Sequence, residues 1–514
     1  MESRTQNTKR NIIASYVLML LQVVFSFVSK SAIIYSLGSE YLGISSLFNS
    51  VLTVLNVAEL GFTTSVVFFM YKPIADNDND RVCALLAYLR QVYRYVGISI
   101  LSLGIFTGIF LPYWVHGGVP KDINVYVVYI LYLINTAISY FLAAHKTALL
   151  TAVQRLDLTK LAGCVVTVVQ YIFQLISLIC FHNYYMFVGA MILGTALTNV
   201  FAAYISKRKF PQFVCKGTIS NNDKKEILNK VKGLLICNIS IVTYSTLDNI
   251  VISSFIGLTA VAIYSNYMTI YKAVNQLVVM IRSAMQASVG NSVAKETLSK
   301  NLYDVYQWQF MFSIIATWCA ACMICLYQPF MKMWMGEALL LPLKDVILIV
   351  IWFSIDIVQQ AHFLYITGSG LWNELKYSYI FNTCFNLLLN FLLGKLIGIT
   401  GVLIASLVTC IISGTFWQCI IIFKCYFKSS AKRYILTQLK YLLFSAIIVT
   451  IAYLITSLIV LQGIIDIIVK FVVCSILAII LIIILYRNEK YFDTTIELIK
   501  RLIKKEDKIA KKKF

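Results

Sequence analysis

Long apolar runs decide what this chain can fold into. Crossing the hydrocarbon core of a bilayer as a helix takes ~20 apolar residues, and the 514-residue sequence contains about fourteen runs of that kind. They lie at 11–37, 44–71, 93–111, 123–150, 159–181, 184–206, 231–256, 258–286, 307–327, 345–366, 374–394, 399–425, 436–461 and 463–486. All six prolines fall between the runs, as uninterrupted helices require. We therefore predict an all-α polytopic membrane protein with about 14 transmembrane helices.

The amount and the placement of charge agree with this fold class. Only 13% of the residues are charged, whereas a soluble domain has ~25%. The net charge of +21 follows the positive-inside rule, because the segments predicted to be cytoplasmic hold about 37 of the 44 Lys and Arg residues. The densest segments are 207–232, 424–440 and 487–513. We expect both termini in the cytoplasm, basic segments against anionic membrane lipids and no nucleic-acid partner.

A weak internal repeat divides the chain. Residues 38–46 align with residues 257–265, which pairs Gly38 with Gly257, and each segment joins the first two helices of a six-helix half. A six-helix unit returns the chain to its starting side, so the two copies are expected to be parallel. Residues 1–206 are predicted to form an N-terminal six-helix lobe and residues 233–430 a C-terminal six-helix lobe, with a basic cytoplasmic linker between them at 207–232. Two additional transmembrane helices at 431–486 and a basic cytoplasmic tail at 487–514 follow.

Four ionisable residues lie deep inside apolar runs. A charge at the bilayer centre costs at least ~3 kcal/mol, so such side chains usually face a protein interior or a watery cavity. These four residues and three neutral neighbours are the predicted substrate-binding positions of a transporter for a charged substrate. They are Lys30, Glu59, Asp248 and Lys272, with Asn56, Asn249 and Gln276. For the neutral residues, hydrogen bonding between helices is the alternative.

Three carboxylates are candidates for coupling transport to an ion. Glu59, Asp248 and Asp356 lie in apolar surroundings, where carboxylates can exchange protons near neutral pH. Asp356 belongs to a polar group that includes His362, and an ion pair or a core histidine is an equal alternative there. We expect H⁺ or Na⁺ coupling, no other cofactor and no bound structural metal.

Motifs of enzymatic chemistry are missing from the sequence. It has no G-x-x-x-x-G-K-[ST] phosphate loop and no H-E-x-x-H motif. Residues 76–80 resemble the start of a calcium loop, but Arg81 replaces the turn glycine and Ala87 the closing glutamate. The C-x-x-C-x-x-C spacing at 319–325 lies inside an apolar run, where packing of small side chains is expected. No soluble segment is large enough for a catalytic domain, so a non-enzyme is predicted.

Several short motifs resemble those of a known transporter family. They are Y-L-G-I-x-x-L-F at 41–48, A-E-L-G at 58–61, Y-K-P-I-A at 71–75, L-D-N-I-V-I-S at 247–253, Y-S-N-Y at 264–267 and W-M-G-E at 334–337. With the order and length of the runs, they make the chain similar to the Wzx-type polysaccharide-repeat flippases of the multidrug/oligosaccharidyl-lipid/polysaccharide exporter (MOP) superfamily. That superfamily includes MurJ and the MATE transporters.

The resemblance implies a fold and a substrate. The fold is a V-shaped pair of six-helix lobes with a central cavity lined by helices 1, 2, 7 and 8. The substrate is an undecaprenyl-diphosphate-linked oligosaccharide, flipped across the bacterial cytoplasmic membrane for O-antigen, capsule or exopolysaccharide biosynthesis. The diphosphate would need Lys30 and Lys272. We expect a monomer whose pathway partners are a polymerase and glycosyltransferases.

Other functions stay open at this point. Fourteen spans match MurJ, so a lipid II flippase is the first alternative. A MATE-like cation-coupled drug exporter suits the two acidic residues, Glu59 and Asp248, but not the paired lysines. A membrane glycan polymerase would require large external loops, and the predicted external loops are short.

Overall fold

The computed structural model describes residues 4–116, 119–142 and 144–497. It is 88% helical, and no β-strand occurs within these ranges. This confirms the predicted all-α polytopic fold class. The predicted basic tail lies outside the described residues from position 498 onward.

Spatial contacts divide the chain into two compact units, residues 1–265 and 266–514. The helices of the first unit are α1 (Arg4–Ser36), α2 (Ser39–Leu55), α3 (Val57–Ala75), α4 (Asn79–Gly108), α5 (Leu111–Trp114), α6 (Val125–Leu142), α7 (Ala144–Ala152), α8 (Leu156–Ile179), α9 (Tyr184–Lys209), α10 (Asn221–Phe255) and the first residues of α11 (Leu258–Lys295).

The second unit begins within α11. Its further elements are α12 (Leu298–Met335), a 3₁₀ turn (Glu337–Leu339), α13 (Leu343–Ser369), α14 (Trp372–Cys410), a π-helical segment (Ile411–Gln418), α15 (Cys419–Ile422), a second π-helical segment (Phe423–Phe427), α16 (Lys432–Ser457) and α17 (Gly463–Tyr486). The predicted lobe boundaries stay a prediction.

Each predicted run contains at least one helix in the described part of the chain. In the described part of the chain, nine helices are long and apolar enough to cross a membrane by length and composition. One of them, Trp372–Phe427, contains two predicted runs, and non-helical dihedral angles at Ile397 and Gly398 divide it there. The remaining runs correspond to α2 with α3, to α4, to α10 and to α11, and these helices contain three of the four ionisable residues singled out from the sequence.

The two aligned glycines end their helices in the same way. Gly38 has φ 122° and Gly257 has φ 123°, which are values that only glycine adopts without strain. The Gly38 N–H donates to the carbonyl of Ile33 at 3.1 Å, and the Gly257 N–H donates to the carbonyl of Ile252, also at 3.1 Å. The two aligned turns therefore share the same φ and the same closing hydrogen bond.

A glycine contact brings α2 and α11 together in the first unit. A Cβ placed on Gly43 would lie 2.1 Å from the carbonyl oxygen of Leu258, so only glycine permits this approach. On the other side of α2, the Phe48 ring meets Tyr129 and Tyr132 of α6 edge-on at 5.2 and 5.8 Å. Aromatic pairs in this geometry contribute ~1 kcal/mol beyond their buried area, and they fix how α2 faces its neighbours.

Helix α12 is the centre of the second unit, where it packs against α13, α16 and α17. Phe310 of α12 contacts the rings of Tyr441 and Tyr486 at 5.6 and 5.7 Å. The Tyr486 hydroxyl also donates to the carbonyl of Tyr441 at 3.1 Å.

On α17, Lys470 forms an ion pair with Asp466 at 2.9 Å, one turn away. This intramembrane lysine is therefore neutralised on its own helix.

Gln359 of α13 explains why the helix after α14 becomes π-helical. Its Nε2 donates to the carbonyl of Cys410 at 3.2 Å and to the hydroxyl of Thr415 at 3.1 Å. A side chain that enters the helix ladder in this way displaces an i→i−4 bond and widens the turn. Gly414 gives it room, because a Cβ there would lie 2.1 Å from Gln359 Oε1.

Candidate functional site: a carboxylate in a polar cavity

The first unit contains a cavity of about 500 Å³ whose walls carry mostly hydroxyl and amide groups. It is formed by α2, α3, α4, α6, α7 and α9 around Glu59. The lining residues are Asn49, Leu52, Thr53, Asn56, Glu59, Thr63, Tyr93, Asn135, Thr136, Ser139, Tyr140, Ala144, Thr147, Ala148, Thr151, Thr195 and Asn199. Glu59 is the only Asp, Glu, His, Lys or Arg among these lining residues.

Three hydroxyl groups hold the Glu59 carboxylate. Tyr140 of α6 donates to Oε2 at 2.6 Å, while Tyr93 of α4 and Thr63 of α3 donate to Oε1 at 3.2 and 3.1 Å. The Tyr140 hydroxyl also lies 3.2 Å from Asn56 Oδ1. Asn56 and Glu59, both predicted as site residues, are thus brought together on one tyrosine.

Helical spacing places these groups. Glu59 and Thr63 are four residues apart on α3, so they share one face of that helix. The opposite wall is a ladder in which Thr195 of α9 donates to Asn135 of α6 at 2.8 Å and Asn199 donates to Ser139 at 3.2 Å. Both pairs have the same four-residue spacing, so α6 and α9 meet along matched polar faces.

The cavity leaves room for a positive charge beside Glu59. Among the described residues, no lysine or arginine lies within 4 Å of its carboxylate, and its hydrogen-bond partners are neutral. A carboxylate oxygen can accept more than one hydrogen bond. The hydroxyl and amide oxygens of the cavity wall lie around this carboxylate. The described part of the chain contains no cluster of three or more His, Cys, Asp or Glu for a metal ion.

Lys30 of α1 contacts Ser265 of α11. Its Nζ donates to the carbonyl and to the hydroxyl of Ser265, each at 2.9 Å. Ser46 of α2 donates to the same Ser265 hydroxyl at 2.9 Å. The Lys30 side chain is half-buried.

The two neighbours Asp248 and Asn249 differ in exposure. Asp248 is buried, with 4% of its surface exposed, and it accepts a hydrogen bond from the Tyr264 hydroxyl at 2.5 Å. Asn249 is half-buried and donates to the hydroxyl of Ser50 at 2.8 Å. Its Oδ1 atom has no hydrogen-bond partner in the described structure. Burial and the hydrogen bond from Tyr264 therefore favour a structural role for Asp248. Asn249 keeps an oxygen that can accept a hydrogen bond.

In the second unit, Lys272 and Gln276 lie one turn apart on α11, and both side chains are exposed. The four-residue spacing puts them on one face. Lys30 belongs to the first unit and Lys272 to the second, so their predicted convergence on one substrate stays a prediction.

Asp356 of α13 sits in a second cluster of a carboxylate, a tyrosine and an asparagine. Tyr271 donates to its Oδ2 at 3.0 Å and Asn275 donates to the same atom at 2.5 Å. Arg282 interacts electrostatically with Asp356, and its guanidinium donates to Gln360 Oε1 at 2.6 Å. A permanent positive charge is therefore built into this second cluster.

His362 does not join Asp356. It is fully buried and its ring meets Tyr434 edge-on at 6.0 Å. Neither of its ring nitrogens has a hydrogen-bond partner in the described structure. This arrangement agrees with the core-histidine alternative, although its nitrogens are not satisfied.

The cysteines of α12 pack against α17. Cys474 Sγ lies 3.9 Å from Cys322 Sγ, and Cys322 Sγ lies 3.7 Å from the hydroxyl of Ser475. The thiols fill the contact between two apolar helices, which is the packing role expected from the sequence.

The groups that hold the two carboxylates were not among the predicted site residues. Tyr93 and Tyr140 carried no signal, since the chain has 32 tyrosines and most lie in apolar runs. Arg282 could have been found, because it falls inside the run 258–286. The wall of the cavity could also have been found from the four-residue spacing of polar residues on α6 and α9.

The fold of the chain is similar to the folds of solved polytopic membrane transporters. A multidrug resistance MATE family transporter of the MOP superfamily, in its inward-facing conformation, matches with a TM-score of 0.64, 13% identity and coverage of 84% of this chain and 99% of that chain. The lipid II flippase MurJ, inward closed, matches with a TM-score of 0.64 and 14% identity, over 93% of this chain and 99% of that one.

A mutant of the Vibrio cholerae MATE transporter VcmN has the same fold, with a TM-score of 0.56, 14% identity and coverage of 84% of this chain and 99% of that chain. No protein-family model and no curated protein matches the sequence. The chain therefore shares the fold of MATE transporters and MurJ, at identities that show the fold alone.

Proposed function

We propose that this protein is an ion-coupled flippase for undecaprenyl-diphosphate-linked oligosaccharide repeat units in the bacterial cytoplasmic membrane. The observation that carries the transport mechanism is Glu59, a carboxylate in a polar cavity of about 500 Å³ with only neutral hydrogen-bond partners. Such a site can take up and release a proton or a sodium ion. The fold shared with transporters of the MOP superfamily supports the same conclusion.

Glu59 is a better coupling residue than the other two carboxylates. Asp356 already has the Arg282 charge nearby, and a guanidinium is always protonated, so an incoming cation would be repelled. Asp248 is 4% exposed, which leaves little access for an exchanging ion. Glu59 lines a cavity of about 500 Å³, so an exchanging ion can reach it.

The substrate class rests on charge. A diphosphate is anionic and needs positively charged partners. Lys30 and Lys272 are lysines inside apolar runs of the chain. Lysine binds phosphate as a point charge with three donors. Asn249 and Gln276 supply amide groups of the kind that bind sugar hydroxyls. We propose that a monomer carries out transport, in a pathway that includes glycosyltransferases and a polymerase.

Two alternatives use the same fold. MurJ is a lipid II flippase, and lipid II also carries a diphosphate, so Lys30 and Lys272 fit either substrate. A MATE-like cation-coupled drug exporter would use Glu59 but has no need for the lysines. The two lysines favour a lipid diphosphate over a cationic drug.

The substrate can be tested in proteoliposomes that contain the purified protein. Fluorescent undecaprenyl-diphosphate oligosaccharide, fluorescent lipid II and ethidium are offered separately, and movement across the bilayer is measured by quenching from one side. We expect flipping of the oligosaccharide lipid. Faster flipping of lipid II would favour the first alternative, and ethidium transport without lipid flipping would contradict the proposal.

A further inference from the structure

A groove on the second unit lies outside the transport site. It has a volume of about 490 Å³ and runs between the start of α14 and the π-helical stretch that follows the end of the same helix. Its walls are apolar, with Ile412, Phe416 and Trp417 from the first π-helical segment and Ile420 and Ile421 from α15. Pockets of this size hold single small ligands.

The groove exists because the helix is widened there. Most of the lining residues that follow α14 in the chain belong to the two π-helical segments, Ile411–Gln418 and Phe423–Phe427. π-Helical turns are rare and occur mostly where a protein has a functional site. The Trp417 ring contacts the ring of Phe381, with 5.1 Å between their centres, and this contact holds Trp417 in place. Phe416 and Ile420 are 40% and 49% exposed.

Two opposite charges line the groove, at helix ends that the topology predicted from charge places on the same side of the membrane. Lys424 and Glu374 both line it and both are exposed. In the described structure neither makes an ion pair or a side-chain hydrogen bond, even with the other. An unpaired lysine and an unpaired glutamate at one mouth match a molecule that carries a phosphate and an ammonium group together.

We propose that this groove binds one phosphatidylethanolamine-type lipid. The apolar walls take an acyl chain, Lys424 binds the phosphodiester and Glu374 accepts hydrogen bonds from the primary ammonium. In the topology predicted from charge, this mouth opens to the cytoplasmic leaflet. The choice of lipid rests on charge complementarity, because an anionic headgroup would leave Glu374 without a partner.

Helix-end electrostatics is the competing explanation of the two charges. Glu374 lies in the first turn of α14 and Lys424 in the last turn of the second π-helical segment. Charges of these signs stabilise helix termini without any ligand. That role predicts an effect on stability and none on lipid binding, so the two explanations can be separated.

Native mass spectrometry of the purified full-length protein measures which lipids stay bound. The protein is exchanged into detergent with equal amounts of phosphatidylethanolamine, phosphatidylcholine and phosphatidylglycerol that have matched chains. We expect one lipid retained preferentially, with phosphatidylethanolamine favoured about three- to tenfold over phosphatidylglycerol, as one or two exposed charge contacts allow. Equal retention of all three lipids would overturn the proposal.

Variants locate the binding. Lys424→Gln should lower retention of every phospholipid, whereas Glu374→Gln should remove the preference for phosphatidylethanolamine and leave phosphatidylglycerol bound. Ile420→Trp fills the groove without changing charge and should also lower retention. Lys432→Gln, an exposed lysine at the start of α16, is the matched control and should bind like the wild type. Normal lipid retention in the Lys424 and Glu374 variants, with lowered thermal stability, would assign the charges to the helix ends and overturn the proposal.

Discussion

At the scale of single residues, the two carboxylate clusters resemble one another but differ in charge. Each contains a tyrosine and an asparagine beside the acid: Tyr140 and Asn56 for Glu59, Tyr271 and Asn275 for Asp356. In the second cluster Arg282 interacts electrostatically with Asp356, whereas Glu59 of the first cluster lines a polar cavity. This difference supports the proposal that the exchangeable ion binds at Glu59.

The lysines can be tested by neutralisation. Lys30→Gln and Lys272→Gln should each lower flipping of the oligosaccharide lipid about tenfold, the effect of losing one charge-assisted contact of ~1.4 kcal/mol. Their abundance in the membrane should change little, because an uncharged residue is cheaper to insert. Arginine at either position should restore part of the activity. The control is Lys344→Gln, an exposed lysine at the start of α13. Normal flipping by the double mutant would exclude a diphosphate site at these lysines.

Close packing gives a second prediction at this scale. Gly43→Ala places a Cβ 2.1 Å from the backbone oxygen of Leu258, so α2 and α11 must separate. We expect a loss of ~1–3 kcal/mol in stability, as for other overpacked sites, read as a lower midpoint of thermal unfolding. Gly189→Ala is the control, since its Cβ would meet nothing within 4 Å. Equal midpoints for the two variants would contradict the packing described at Gly43.

At the scale of helices, the sequence predicted where the chain is helical but not how the helices are interrupted. Apolar length identified all of the runs, because crossing a bilayer requires it. The π-helical stretch after α14 depends on Gln359, which reaches it from α13, and such a tertiary contact leaves no local pattern. Glu59 was predicted from the cost of a charge in an apolar run and Asn56 from its place on the same polar helix face, while Tyr93 and Tyr140 are indistinguishable from other tyrosines.

The repeated turn yields a prediction for these elements. Gly38 has φ 122° and ψ 167°, in a region that is essentially restricted to glycine and costs other residues ~1–3 kcal/mol. Gly257 has φ 123°. Gly38→Ala and Gly257→Ala should therefore lower the thermal midpoint by similar amounts, measured by a fluorescence melt in one detergent. A loss confined to one of the two variants would show that the turns are not equivalent.

At the scale of the whole molecule, charge placement predicts the topology. Both termini and the linker 207–232 are expected in the cytoplasm, and residues 328–345 outside. Thr218→Cys and Ala338→Cys in a cysteine-free background should differ, with only position 338 labelled by an impermeant thiol reagent in intact cells or spheroplasts. Equal labelling of both positions would contradict this orientation.

The central claim is that ion exchange at Glu59 drives the flipping of a lipid-linked oligosaccharide. The most direct measurement is flipping in proteoliposomes with and without an imposed H⁺ or Na⁺ gradient, for the wild type, Glu59→Gln and Asp356→Asn, each scaled to folded protein. We predict that one gradient accelerates the wild type and the Asp356 variant, while the Glu59 variant binds substrate but shows no acceleration. Gradient-driven flipping by Glu59→Gln at the wild-type rate would contradict the claim.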